Sequence, residues 1–210
     1  MFNTTIATQI YAKICFEATN SQKKIIENLS EYLSDDDFSR IFVLNGFAGT
    51  GKTTLIAALV AALKELRIKP VLLAPTGRAA KVLARYCGEQ ALTIHKRIYR
   101  QRTNADYESK FSLDFNREQG AVFIVDEASM LSDSTGDGAL FGSGSLLEDL
   151  VSYVRSGRGC RLILVGDSAQ LPPVGCDFSP ALDPATVSRY GEVVYGLMDE
   201  VVRQQMQSGI

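Results

Sequence analysis

At 210 residues, with 46% hydrophobic and 22% charged side chains, the chain is long enough for one large α/β domain with its own core and too apolar for a disordered segment. A net charge of −2 excludes a wholly basic, histone-like binder of nucleic acid. A single histidine, His95, excludes a multi-histidine metal centre, and Cys15, Cys87, Cys160 and Cys176 lack the C-x-x-C spacing of zinc or redox motifs, so they read as free thiols in a reducing, cytoplasmic compartment. No apolar run approaches the ~18 residues of a membrane span, and the N-terminus lacks a charged-then-apolar leader pattern, so no membrane partner is expected.

In chain order, Asn20 or Ser21 is placed to cap a helix running to about Leu33, with Ile25, Ile26 and Leu29 on its inner face. Asp35, Asp36 and Asp37 form an acidic loop, read as solvated rather than metal-binding. Ile41 to Asn45 reads as a buried strand, Thr53 to Leu66 as a helix, Pro70 to Ala74 as the next strand and Gly77 to Cys87 as a helix. Further on come a strand at Ala121 to Val125, a helix at Leu146 to Arg155, a strand at Arg161 to Val165 and a short last strand at Val193 to Tyr195. Apolar strands alternating with helices predict a mainly parallel sheet covered on both faces. Two stretches interrupt this rhythm. Residues 98–119 are polar with interspersed aromatics, and the alternation of Phe111, Leu113 and Phe115 after a turn near Thr103 to Asp106 predicts a β-hairpin. Residues 132–145, rich in Ser, Gly and Asp, read as a mobile loop.

Between the first predicted strand and helix lies Gly46-Phe47-Ala48-Gly49-Thr50-Gly51-Lys52-Thr53, which fits G-x-x-x-x-G-K-[ST]. Glycines let the backbone turn its N–H groups toward a triphosphate, Lys52 can reach the β- and γ-phosphates, and the Thr53 hydroxyl can ligate Mg²⁺. The helix N-terminus adds a favourable field for the anion. The strand ending at Val125 is followed by Asp126 and Glu127. One reading makes these an ordinary helix cap; the other makes Asp126 the magnesium ligand and Glu127 the group that orients or deprotonates water. Gln170, after the strand ending at Val165, is placed to sense the γ-phosphate or hold that water. From Lys69 to Arg102 the chain carries a net +7, with eight Lys or Arg against Glu89. That segment is either a pair of solvated helix faces or a strip facing nucleic-acid phosphates.

These motifs together resemble the first motor domain of a superfamily 1 DNA helicase of the RecD-like, 5′→3′ group. The resemblance runs from about residue 16 to 210. It rests on Asn20-Ser21-Gln22, the phosphate loop, Ala74-Pro75-Thr76-Gly77-Arg78, Thr93-Ile94-His95, Val125-Asp126-Glu127-Ala128-Ser129-Met130, Gly166-Asp167 with Gln170-Leu171-Pro172-Pro173, and Met198-Asp199-Glu200-Val201-Val202-Arg203. It implies a three-layer P-loop NTPase domain of RecA-like fold over residues 1–210, using ATP and Mg²⁺. Gln22 would contact adenine, with Gly46, Ala48, Gly49, Thr50, Gly51, Lys52, Thr53 and Thr54 around the phosphates. Thr53 and Asp126 would hold the metal, and Lys52, Glu127, Gln170 and Arg203 would act in hydrolysis. Pro75, Thr76, Arg78, Thr93 and His95 would touch single-stranded DNA. The hairpin in 98–119 is a candidate duplex-splitting pin, whereas the 132–145 stretch departs from the plain helix often found there. A second motor domain, absent from these residues, is implied, so the chain reads as a piece of a longer motor with nuclease, replication or repair proteins as further partners. A non-helicase P-loop ATPase and a regulatory subunit of a nuclease–helicase complex are the alternatives.

Overall fold

The computed structural model describes residues 2–103, 109–133 and 141–202. Helices α1 (Phe2–Lys13) and α2 (Asn20–Ser34) precede strand β1 (Ile41–Gly46), helix α3 (Lys52–Glu65), strand β2 (Pro70–Ala74) and helix α4 (Gly77–Cys87). A short strand β3 (Ala91–Thr93) and a one-turn helix α5 (Ile94–Ile98) lead into β4 (Tyr99–Thr103) and β5 (Ser109–Leu113). Then come β6 (Val122–Val125), α6 (Leu146–Ser156), β7 (Arg161–Gly166), α7 (Pro184–Val187) and β8 (Val193–Met198).

Six strands form one sheet in the order β3-β2-β6-β7-β1-β8, every neighbouring pair parallel. The register sets Ile41 beside Leu162 and Val193, and carries through to Asn45 beside Gly166 and Leu197. Strands covered on both faces need apolar side chains at nearly every position, and β1, β6 and β7 are buried throughout. Successive residues of β1 feed opposite layers. Phe42 and Leu44 meet Ile25, Leu29, Leu59 and Leu63 from α2 and α3, while Ile41 and Val43 belong to the layer of Leu150 and Val154 from α6. This is the parallel sheet covered on both faces that the alternating pattern predicts, in the three-layer, RecA-like arrangement that the resemblance implies.

Several boundaries differ from expectation. The N-cap of α2 is Thr19, not Asn20 or Ser21: its hydroxyl accepts from the Gln22 N–H at 3.2 Å while the Gln22 side chain accepts from the Thr19 N–H at 3.0 Å. Thr19-x-x-Gln22 is the sequence signature of that reciprocal box. Helix α1, with Ile6 and Ile10 fully buried, was not anticipated because its apolar positions form only a weak stripe. β8 is twice the predicted length, since β1 supplies partners as far as Met198. β4 and β5 pair antiparallel from Tyr99 opposite Leu113 to Thr103 opposite Ser109, with 104–108 outside the described residues. Phe115, assigned to the strand by alternation, lies beyond the ladder and is 64% exposed. Among the described residues no helix is long and apolar enough to cross a membrane, and Cys15, Cys87, Cys160 and Cys176 are all free.

Candidate active site

A parallel sheet delivers all its strand ends to one edge, where ligands of open α/β sheets bind. Here that edge carries the phosphate loop after β1, Asp126 and Glu127 after β6, and Asp167 to Gln170 after β7. Pro75 and Thr76 follow β2, and Thr93 ends β3. The strand order therefore splits the edge in two: β7 and β1 carry the phosphate-loop side, β2 and β3 the proposed DNA side, and the acids of β6 stand between.

Gly49 and Gly51 have φ of 77° and 86°, a region that side chains with a Cβ enter only at a cost. Gly51 is the N-cap of α3, and a Cβ there would lie 2.8 Å from Gln22 Nε2. Thr50 is fully buried and donates from its hydroxyl to the Phe47 carbonyl at 2.8 Å. Lys52 Nζ donates to the Gly46 carbonyl and, at 2.9 Å, to that of Phe47; it is 3.9 Å from Asp167 Oδ2. Thr53 lies half-buried in the first turn of α3, whereas Ala48 and Thr54 are exposed.

Gln22 is not the surface glutamine that a helical position alone suggests. It is 1% exposed, and its Nε2 donates to the Thr50 carbonyl at 3.0 Å. With its Oε1 on Thr19, the amide braces the phosphate loop from the side, so in this structure its partners are protein groups and not a position reserved for adenine. The chain beyond β8 also lies on the loop. Phe47 N donates to Met198 O at 3.2 Å and Val202 N to Gly49 O at 3.0 Å. Glu200 accepts from the first N–H groups of α2, Asn20 at 3.3 Å and Ser21 at 3.0 Å, where the helix dipole favours a carboxylate. Arg203 lies outside the described residues.

The acids at the end of β6 sit in contrasting settings. Burial is the main force raising the Asp126 carboxyl above its usual range; the Glu127 charge adds to it, while a backbone N–H and Lys52 oppose it. Glu127 has φ of 55°, and its carboxylate makes no capping hydrogen bond to the turn Ala128–Met130 that it starts. The helix-cap reading therefore fails for Glu127. A hydroxyl (Thr53) and a carboxylate (Asp126) are hard oxygen donors suited to a Mg²⁺ that takes its remaining ligands from phosphates and water. No cluster of three or more His, Cys, Asp or Glu suited to a metal occurs among the described residues.

Two linking groups escaped sequence reasoning. Asn45, 6% exposed, donates to Ser168 Oγ at 2.8 Å and Tyr195 Oη at 2.9 Å and accepts from the Ser168 N–H at 3.0 Å. It ties the strand under the phosphate loop to the Gln170 segment and to β8. Ser129, fully buried, donates to Gln170 Oε1 at 3.3 Å and joins the acidic turn to the same segment. The one signal for Asn45 was a polar side chain ending an otherwise apolar strand. Asn45→Ala is expected to cost about 1–2 kcal/mol, because water can reach Ser168 and Tyr195. For a chain of this size that is roughly 2–8 °C in Tm; an unchanged Tm would show that the network carries no stability.

On the other half of the edge, Thr76 and Thr93 cap α4 and α5, accepting from Ala79 N and Lys96 N at 3.2 Å. Pro75 is half-buried and Arg78 exposed. The +7 segment divides in a way that charge counting does not reveal. Lys69 and Arg97 pair with Glu118 and Arg100 with Asp114, so these are structural ion pairs. Arg78, Lys81 and Arg85 stand exposed at helical spacing along α4. His95 packs against the rings of Tyr99 and Phe141, centroids 5.6 and 5.0 Å away. Burial lowers its pKa from the ordinary 6.5. A base depressed on folding gives stability that is full above the unfolded pKa and is lost as pH falls through the folded one. Between about pH 7 and pH 5 the Tm should therefore drop more for the parent than for His95→Gln; parallel curves would exclude the effect.

The family model described as an AAA domain matches residues 17–208. The chain belongs to this family. Within it, the AAA domain is 30% identical to the ATP-dependent RecD2 DNA helicase of Deinococcus radiodurans over 154 residues, 73% of this chain and 19% of that protein. It is 33% identical to the RecBCD enzyme subunit RecD of Mycobacterium tuberculosis over 201 residues, 78% of this chain and 32% of that one. Among solved structures, the Pif1 helicase from Bacteroides in complex with ADP-AlF3 and single-stranded DNA shares the fold, with a TM-score of 0.57 at 20% identity over 91% of this chain and 44% of that one. The AAA domain is thus similar in sequence to RecD-type helicases and shares its fold with a Pif1 helicase. It spans about a fifth of the length of the first of these relatives and about a third of the second.

Proposed function

We propose that this domain is the nucleotide-hydrolysing half of an ATP-dependent DNA helicase motor. The observation that carries the reading is the shared strand-end edge: the phosphate loop and Gln170 on one side of it, Pro75, Thr76, Arg78, Thr93 and His95 on the other, and Asp126 and Glu127 between. Gly46, Ala48, Gly49, Thr50, Gly51 and Thr54 shape the cradle around the triphosphate, and Lys52 neutralises its β- and γ-oxygens. Thr53 and Asp126 would hold a magnesium ion, which would supply further charge neutralisation to the phosphates. Glu127 orients or deprotonates water, Gln170 holds it, and Arg203 joins Lys52 in countering the charge of the transition state. Gln22 acts by bracing the loop. Its proposed adenine contact requires the amide to turn away from Thr50.

DNA is held as a single strand through its phosphates, a mode that is sequence-blind and salt-sensitive. The β4–β5 hairpin splits the duplex. A second motor domain of the same polypeptide closes over the nucleotide and opens again, which moves the strand. Nuclease, replication or repair proteins are the class of partner that fits. These 210 residues alone are expected to hydrolyse ATP poorly and not to unwind; robust unwinding by them would overturn the two-domain part of the reading. The decisive test is ATP turnover by the intact polypeptide with and without single-stranded DNA. Strong stimulation by DNA supports a DNA-driven motor. Turnover indifferent to DNA points to a P-loop ATPase with another substrate, and no turnover at all to a regulatory subunit.

A further inference from the structure

The base of the β4–β5 hairpin is held by a buried carboxylate that the reaction does not use. Asp149 lies in the first turn of α6 and is 5% exposed. A carboxylate so placed needs donors, and it has them from two other elements: the Tyr99 hydroxyl at 2.6 Å, and the Ser143 N–H at 3.0 Å and 3.3 Å to its two oxygens. Tyr99 is the first residue of the hairpin. Ser143 belongs to the stretch between the acidic turn and α6. The same stretch extends the hairpin sideways, because Gly142 N donates to Phe111 O at 3.0 Å and Phe141 stacks on the Phe111 ring at 4.5 Å. Gly142 has φ of +47°, and a Cβ there would fall 1.9 Å from Asp149 Oδ2, so the fit admits only glycine.

From the other side, α6 is fastened to the chain leaving the acidic turn. Leu147 N donates to Ser132 O at 3.3 Å, and Ser145 Oγ to Asp133 Oδ1 at 3.1 Å. A continuous set of contacts therefore runs from the turn after Glu127, through Ser132 and Asp133, into α6 and on through Asp149 to Tyr99. The sequence segment that interrupts the α/β rhythm after the acids is thereby given a purpose at its described end.

We propose that Asp149 is a positioning residue that clamps the hairpin base to the segment leaving the acidic turn, so that strand separation depends on it while ATP turnover does not. This rests on the helicase reading above. A clamp of this kind fixes the direction of the hairpin relative to the strand-end edge, and its loss leaves the phosphate loop, Asp126, Glu127 and Gln170 untouched.

The test compares Tyr99→Phe and Asp149→Asn with the parent in the intact polypeptide. It measures DNA-stimulated ATP turnover, displacement of one strand of a tailed duplex, and Tm. Tyr99→Phe keeps the ring among its aromatic neighbours and removes only the hydroxyl, so it covers the case in which Asp149→Asn folds badly. The expected result is strand displacement reduced about tenfold, the factor associated with one charge-assisted hydrogen bond, with turnover within about twofold of the parent. The double variant should be no worse than the poorer single one, because both weaken the same charge-assisted contact, Tyr99→Phe by removing the donor and Asp149→Asn by removing the charge. Displacement and turnover that stay unchanged, or that fall together, would overturn the clamp and leave the helicase reading standing. A parent that neither displaces a strand nor responds to DNA would overturn the helicase reading, and the clamp with it.

Discussion

Glu127→Gln is expected to lower ATP turnover by about 10²–10⁴-fold while nucleotide is still bound, the range spanned by the loss of a positioned general base. The amide has the shape of the carboxylate but cannot accept a proton from water. The backbone argues that the carboxyl group is held for this purpose. Glu127 has φ of 55°, a conformation costing a non-glycine residue about 1–3 kcal/mol, and its side chain does not cap the turn it begins. Were the residue there only for structure, glycine would serve better. Glu127→Gly should therefore retain or raise the Tm while losing turnover as fully as Glu127→Gln. Single-turnover hydrolysis, read beside binding of a fluorescent nucleotide, separates chemistry from affinity. Parental turnover in the Gln variant would remove Glu127 from the reaction.

The contrast between Glu127 and Gln22 shows what a sequence discloses and what it hides. Strand ends are legible because burial on both faces forces continuous apolar runs such as Ile41 to Leu44, Val122 to Val125 and Leu162 to Val165. Once the strands are parallel, residues that follow them must share one edge, so the assembly of the phosphate loop, Asp126, Glu127 and Gln170 follows from topology alone. Contacts between side chains distant in the chain have no such periodic signature. Asn45 reaching Ser168 and Tyr195, or Glu200 on the N-terminus of α2, depends on strand order and loop path. Net charge misleads for the same reason: Lys69 and Arg97 lie in a basic segment, yet both turn to Glu118, which the sequence places in the next one. Helix α1 was missed because its buried Ile6 and Ile10 sit among polar neighbours, and burial by α2 and α3 rather than amphipathic patterning keeps it in place.

Lys52→Ala is expected to have two separable consequences. Turnover should fall by about 10²–10³-fold or more, as for other removals of a donor that stabilises developing charge, and nucleotide affinity should fall with it. Stability should fall for a different reason. Lys52 Nζ is 3.9 Å from Asp167 Oδ2, and Asp167 is only 3% exposed, its Oδ1 accepting from the Ala169 N–H at 2.9 Å. Removing the ammonium leaves a buried carboxylate short of a positive neighbour, at a cost of about 1–3 kcal/mol. Adding Asp167→Asn removes that charge, so the Lys52→Ala/Asp167→Asn pair should recover most of the lost Tm and none of the turnover. The phosphate loop itself should survive both changes, because its shape comes from the left-handed Gly49 and Gly51, the Thr50 hydroxyl on Phe47 and the Gln22 amide on Thr50. Thermal unfolding with and without ATP reads both effects together, since a ligand that binds only the folded state raises Tm by an amount that grows with the logarithm of its affinity. A Lys52→Ala variant that keeps the parental ATP-induced shift would mean that the triphosphate is gripped by the loop backbone and not by this side chain.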